Sequence, residues 1–257
     1  MSKLAVAAGL IAVVLAFVAG LFLGLRTASS LGKERVIYID VEHKVPIKPV
    51  LMHAEPATKL PGLGEKRYGP IIVKYTATDK ATYIAVFYNC SETYFISELK
   101  VVAEKENLEV VYVDNLYISG FGFLGDGFIS SKTSIEVYAV INSTTYRDSF
   151  TPAERKLSPT PSIFYTVSPV LATPEGNLVS IVLYSDFNTP LKVESFEVTG
   201  LNVDKYVAPS VIPPGGLGEI VVYLKENATS TLMVFSALLS GDDKYFVVVG
   251  VVKVPSP

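Results

Sequence analysis

Hydrophobic positions along the chain fall into two regimes. From Leu4 to Leu25 they run without a break, LAVAAGLIAVVLAFVAGLFLGL, 22 residues with no charge and no proline. A helix of that length spans about 33 Å, slightly more than the hydrocarbon core of a bilayer. After Arg26 the apolar residues come in short stretches rich in valine, isoleucine, tyrosine, phenylalanine and threonine, the composition of half-buried strands. The first regime predicts a transmembrane helix over 1–30, and the second predicts β structure.

Residues 31–69 read as a Pro-rich stalk with one or two strands. Arg35–Val41 is strand-like, and Pro46, Pro49, Pro56, Pro61 and Pro70 then fix the backbone and remove donors. Strands are predicted at Ile71–Ala77, Thr82–Tyr88, Ile96–Ala103, Leu108–Val113, Leu116–Ser119 and Ser134–Ile141. A second set follows at Ile163–Val167, Leu178–Tyr184, Leu191–Thr199, Val203–Val207, Gly218–Lys225, Ser230–Leu239 and Lys244–Val254. Turns are expected at Asn89–Thr93, Gly120–Gly127, Asp186–Pro190, Pro213–Gly216 and Gly241–Asp243. Short strands at this spacing predict sandwiches, one over 70–150 and one over 162–257, joined by a linker at 151–161.

The two sets look like copies. Ile135-Glu-Val-Tyr-Ala-Val-Ile-Asn142-Ser-Thr144 aligns with Ile220-Val-Val-Tyr-Leu-Lys-Glu-Asn227-Ala-Thr229 as I-x-V-Y-x-x-x-N-x-T. The first copy reaches only Tyr146–Phe150 after that strand. Val36–Val41, from its own chain or from a neighbour, would complete it.

Charge and chemistry narrow the function. Charged residues are 18% of the 257 and the net charge is −3, with no basic run, which excludes a nucleic-acid partner. Cys90 is the single cysteine, so there is no internal disulfide framework. Tryptophan and glutamine are absent, and few thermolabile amides with one cysteine fit a heat-adapted organism. The two histidines, His43 and His53, both fall in the stalk, which leaves no Ser-His-Asp or Cys-His arrangement and no blue-copper ligand set. Asp40, Glu42 and His43 do not share one strand face and make a poor metal cage. Asp126, Asp186, Asp242 and Asp243 fall at predicted turns, where aspartate has a backbone role. Gly120-x-Gly-x-x-Gly125 carries the letters of a dinucleotide fingerprint without the helix it needs. No catalytic, cofactor or metal residue is assigned. Phe121, Phe123 and Phe128 sit on the glycine-rich stretch as a possible contact loop for protein, lipid or ligand.

Location comes from the first regime. The apolar run exceeds the roughly 7–15-residue core of a cleaved signal, so a retained anchor is expected, with cleavage near Ala28 as the alternative. Three sequons, at Asn89, Asn142 and Asn227, point to glycosylation outside the membrane, with the N-terminus inside. Ala8, Ala12, Ala16, Gly20 and Gly24 recur every four residues, a ridge suited to self-association or to a partner helix.

A short basic start at Lys3, the long apolar helix and the Ile212-Pro-Pro-Gly-Gly216 turn together resemble archaeal cell-surface proteins, pilins and membrane-anchored archaellum stator proteins among them. That resemblance implies a mainly β chain, with an N-terminal transmembrane helix followed by two tandem Ig-like antiparallel β-sandwiches. The expected function is a non-catalytic, membrane-anchored structural or interaction protein outside the cytoplasm, in contact with lipid and other surface proteins. The alternatives are an accessory subunit of a membrane enzyme complex and a secreted filament subunit that exchanges strands.

Overall fold

The computed structural model describes residues 48–158, 161–174, 176–225 and 232–253. Leu4–Leu25 and Val36–Val41 lie outside the described residues. Among the described residues no helix is long and apolar enough to cross a membrane.

The described chain is mainly β. Its first strands are β1 (Val50–His53), β2 (Glu55–Pro56), β3 (Gly64–Tyr68), β4 (Ile71–Ala77), β5 (Thr82–Ala103), β6 (Leu108–Ile129), β7 (Ile135–Ile141) and β8 (Thr144–Phe150). There follow β9 (Ile163–Val167), β10 (Leu171–Thr173), β11 (Gly176–Ser185), β12 (Leu191–Thr199), β13 (Val203–Val207) and β14 (Val211–Ile212). β15 (Leu217–Leu224), β16 (Leu232–Gly241) and β17 (Lys244–Lys253) complete the set. Burial alternates along β7 and β15, as antiparallel strands with one buried face require.

β3 to β8 form one six-stranded antiparallel sheet that folds over on itself. β5 and β6, 22 residues each, pair from Thr82↔Ile129 to Ala103↔Leu108. β4 and β3 extend the sheet beside the first half of β5, and β7 and β8 beside its second half. The two halves face each other across a shared core, with Ile71, Val73, Ile84 and Val86 from one and Leu99, Val101, Val137 and Ala139 from the other. The fold line is a bulge. Between Cys90↔Gly120 and Tyr94↔Ile118 three residues of β5 oppose one of β6, and Gly120 has φ +70°. Such irregularities bend a strand and let it pass from one layer to the other. The open ends meet where Lys66 and Tyr68 donate to Asp148 at 2.7 and 2.8 Å, and where Tyr75 packs on Phe150.

This corrects two expected turns. Asn89–Thr93 and Gly120–Gly127 are both parts of continuous strands. The glycines serve close approach: a Cβ at Gly125 would lie 3.1 Å from Val111 Cγ2, and one at Gly127 would lie 3.2 Å from Val110 Cγ1. Glycine inside a strand marks a bend or a near neighbour as readily as a reversal.

The later strands form a two-sheet sandwich. β13, β15, β11 and β9 lie in that order in one sheet, and β17, β16 and β12 in the other. Phe196, Phe235, Ile181, Leu183, Ile220 and Val248 fill the space between the sheets. The second expected sandwich is found as two facing sheets, whereas the first is one sheet folded over on itself. The supposed copies also differ in pairing. β15 pairs with β11, its counterpart's predecessor, whereas β7 pairs with the far half of β5. The shared I-x-V-Y pattern is what two half-buried strands have in common.

Residues 50–69 are no stalk. β1 joins β17 in parallel and β2 joins β9 in parallel, so both belong to the later sandwich, while β3 belongs to the folded sheet. The described part of 151–161 is likewise built in. Arg155 N donates to Ala77 O at 2.8 Å, and Glu154 forms a parallel bridge with Ala77. The first half of β5 is buried on both faces. Ile84 and Val86 point into their own core, and Tyr83 and Ala85 pack with Ala57, Leu60, Phe164 and Tyr184. The described residues from Pro49 onward form one compact unit.

Candidate interaction surface

β6 is hydrogen-bonded to β5 along one side and, among the described residues, to no strand along the other. Beside the polar Glu109, Asp114, Asn115 and Ser119, it exposes several large apolar and aromatic side chains. Tyr117 is 72% exposed, Phe121 70%, Tyr112 52% and Phe123 50%, with Leu108 and Leu116 also open. Each ring leans on a neighbour in β5. Phe95 lies 4.8 Å from Tyr117, and Phe87 lies 6.0 Å from Phe121 and 5.1 Å from Phe123. Cross-strand aromatic pairs of this kind stiffen a two-stranded ribbon. The fold line at Gly120 divides the surface into an edge around Leu108–Tyr117 and a patch around Phe121 and Phe123.

Phe121, Phe123 and Phe128 thus sit on a strand, and the contact loop expected from the glycines is absent. Phe128 also parts from the other two. It is half-buried between Tyr83 and Tyr184, 4.9 and 5.0 Å away, the second nearly parallel.

Asn89 and Asn142 have different local roles. Asn142 and Ser143 both have positive φ and form the tight turn between β7 and β8, the backbone form that favours asparagine. Asn142 Oδ1 accepts from Phe95 N at 2.8 Å. Asn89 lies in mid-strand, exposed and directly opposite Phe121. Asn227, Ala8, Ala12, Ala16, Gly20 and Gly24 lie outside the described residues, as does His43. His53 ends β1. Cys90 faces the core from within β5, where burial pushes its thiol up. Among the described residues no three His, Cys, Asp or Glu side chains are grouped to hold a metal.

A groove of about 540 Å³ runs between β6 and the outer face of β9 and β11, lined by Phe123, Asp126, Thr166, Ser168 and Ser180 among others. Asp126, expected at a turn, is a strand residue paired with Ala85. Its carboxylate accepts from Tyr83 Oη at 2.8 Å. Burial pushes its pKa up to about 6, against the opposing pull of the Tyr83 hydrogen bond. The folded state therefore binds this proton more tightly than the unfolded chain does. Its contribution to stability is full below the usual carboxylate value of 3.8 and is lost as pH rises through about 6. Asp126→Asn is expected to flatten that part of the Tm–pH curve and to raise Tm at neutral pH. Thermal melts across the range check this, and an unchanged slope in the variant would contradict it.

Asp186, also expected at a turn, is the buried half of an ion pair. Arg155 Nη2 lies 2.6 Å from its Oδ1, and the same nitrogen donates to Tyr184 Oη at 2.9 Å. Sequence reasoning missed this pair, because its members lie 31 positions apart on a linker and a strand end. A signal was present in Tyr83–Phe87, whose unbroken apolar run implies a strand covered on both faces.

No family model and no curated protein matches the chain. Among solved structures it is similar to a protein of unknown function from Porphyromonas gingivalis W83. Identity is 13%, with 71% of this chain and 99% of that chain covered, at a TM-score of 0.21. At that score the likeness carries no argument about fold or activity.

Proposed function

We propose that the protein is a non-catalytic, single-pass membrane protein. It holds its β body outside the cytoplasm as a structural or interaction module of the cell surface. Leu4–Leu25 is its anchor, by length and by absence of charge. The observation that carries the interaction reading is the open edge of β6 from Leu108 to Tyr117, with Tyr112, Leu116 and Tyr117 exposed. Proteins ordinarily blunt such an edge with charge, proline or a covering element; here the exposed Glu109 and Asp114 are the two charges on a stretch otherwise dominated by tyrosine and leucine, and such an edge is suited to pairing with another chain. The expected partner is another membrane or surface protein, and the archaeal surface proteins it resembles fit this reading. The Ala8–Gly24 ridge supports a second reading, an accessory subunit docked through its helix to a membrane enzyme complex.

Purification of the full chain in mild detergent tests both. On the first reading a surface protein co-purifies and is lost from Tyr112→Lys/Tyr117→Lys, which places charge on the edge. Partner recovery that survives those changes and fails with Gly20→Leu/Gly24→Leu favours the second. Retention of partners by both variants would contradict the two together.

A further inference from the structure

We propose that Asn89 carries an N-linked glycan whose first sugar lies on the ring of Phe121 and covers the aromatic patch of the β5–β6 ribbon. This rests on the extracytoplasmic reading above.

Three observations carry it. Asn89 begins the sequon Asn89-Cys90-Ser91, with Asn89 and Ser91 exposed and Cys90 turned into the core. Asparagine is disfavoured inside a strand, and no turn or cap explains it here. Asn142 shows the contrast, since its positive φ and its bond to Phe95 N account for that sequon's asparagine without modification. Finally, Asn89 pairs directly with Phe121 and lies two residues from Phe87, while Phe123 lies opposite Phe87. Residues opposite one another in an antiparallel pair point to the same face with Cβ atoms about 5 Å apart.

A pyranose is amphipathic, with axial C–H groups on one face and hydroxyls around its rim. Attached to Asn89, its C–H face meets the Phe121 ring while its hydroxyls stay in water. Phe121 is already held, stacked on Phe87 at 18° between ring planes, so covering it costs little side-chain entropy. The glycan would thereby shield an apolar patch that otherwise invites association.

The attachment itself is a transfer by the host's own machinery. Nδ2 of Asn89 bonds to the anomeric carbon of a lipid-phosphate-linked oligosaccharide. The anomeric C–O bond breaks, the lipid phosphate leaves with the electron pair, and one amide proton goes to solvent.

The test uses the full chain purified from membranes of the producing organism. Glycopeptide mass spectrometry reads occupancy at Asn89, Asn142 and Asn227. Hydroxyl-radical footprinting reads access to Phe121 in the wild type and in Ser91→Ala, which abolishes the sequon and keeps Asn89. The expected result is sugar mass on the Asn89 peptide, none there in Ser91→Ala, and several-fold faster oxidation of Phe121 in the variant. An unmodified Asn89 with sugar at Asn142 or Asn227 overturns the inference and leaves the extracytoplasmic reading standing. An Asn89 glycan with equal Phe121 oxidation in both proteins overturns the stacking. No sugar at any sequon overturns the inference too, and labelling of the β body from outside the cell then decides separately whether the location fails with it.

Discussion

Arg155→Ala lowers the unfolding free energy by about 3–5 kcal/mol, the range for removing one partner of a buried ion pair. The Asp186 side chain is fully buried and that of Arg155 is 12% exposed. Without the guanidinium, Asp186 keeps a long contact to Tyr184 Oη at 3.5 Å and a charge with no countercharge. The pair is not itself a large source of stability. Among the described residues Arg155 Nε is buried without a hydrogen-bond partner, a desolvation cost that the Nη contacts must offset. The double variant Arg155→Met/Asp186→Leu should therefore recover most of the loss. Arg155 also ties Ala77 of the folded sheet to the end of β11. Its removal should split one urea transition into two, because each β unit has its own core. A single unshifted transition in Arg155→Ala would contradict the assignment of this clamp.

Phe235→Ala is the second large effect, again about 3–5 kcal/mol. Its ring is fully buried between the two sheets of the later sandwich, 5.5 Å from Tyr165 edge-on and 6.0 Å from Phe196 in a stack. It presses on Gly250, where an added Cβ would lie 2.3 Å from Phe235 Cε1. Gly250→Ala alone should destabilise by overpacking a ring that cannot move aside. In the Phe235→Ala background the same change fills part of the vacated space. The two effects should then be less than additive in a double-mutant cycle. Strict additivity would mean that the ring and the glycine do not meet.

Where strands begin and end was largely legible in the sequence. Ile71–Ala77, Ile163–Val167, Leu191–Thr199 and Val203–Val207 are found with the predicted bounds, because β-branched and aromatic runs mark them and Pro70, Pro190 and Gly200 punctuate several of their ends. How the strands connect was not legible across Asn89–Thr93 and Gly120–Gly127. Composition there satisfies a turn and a bulged, bent strand equally, and the choice depends on Val110 and Val111 approaching the glycines from the other half of β6. Read as two turns, that one bend makes a single folded sheet look like half of a tandem repeat. The candidate surface was legible in part. Phe121 and Phe123 were picked out by their glycine neighbours, while Tyr112 and Tyr117 become notable once β6 is known to be an edge. Asp126 and Asp186 look like turn aspartates in sequence. Only three-dimensional proximity to Tyr83 and Arg155 distinguishes them.

The central claim is that the β body faces outward from an anchored chain, and one measurement tests it most directly. Ser149 is exposed on β8, and the native Cys90 is buried and slow to react. A full-length Ser149→Cys protein in intact cells is treated with a membrane-impermeant maleimide and then recovered from the membrane fraction. The account predicts labelling before lysis, to the same extent as after it. Labelling that appears only once the cells are broken would contradict it.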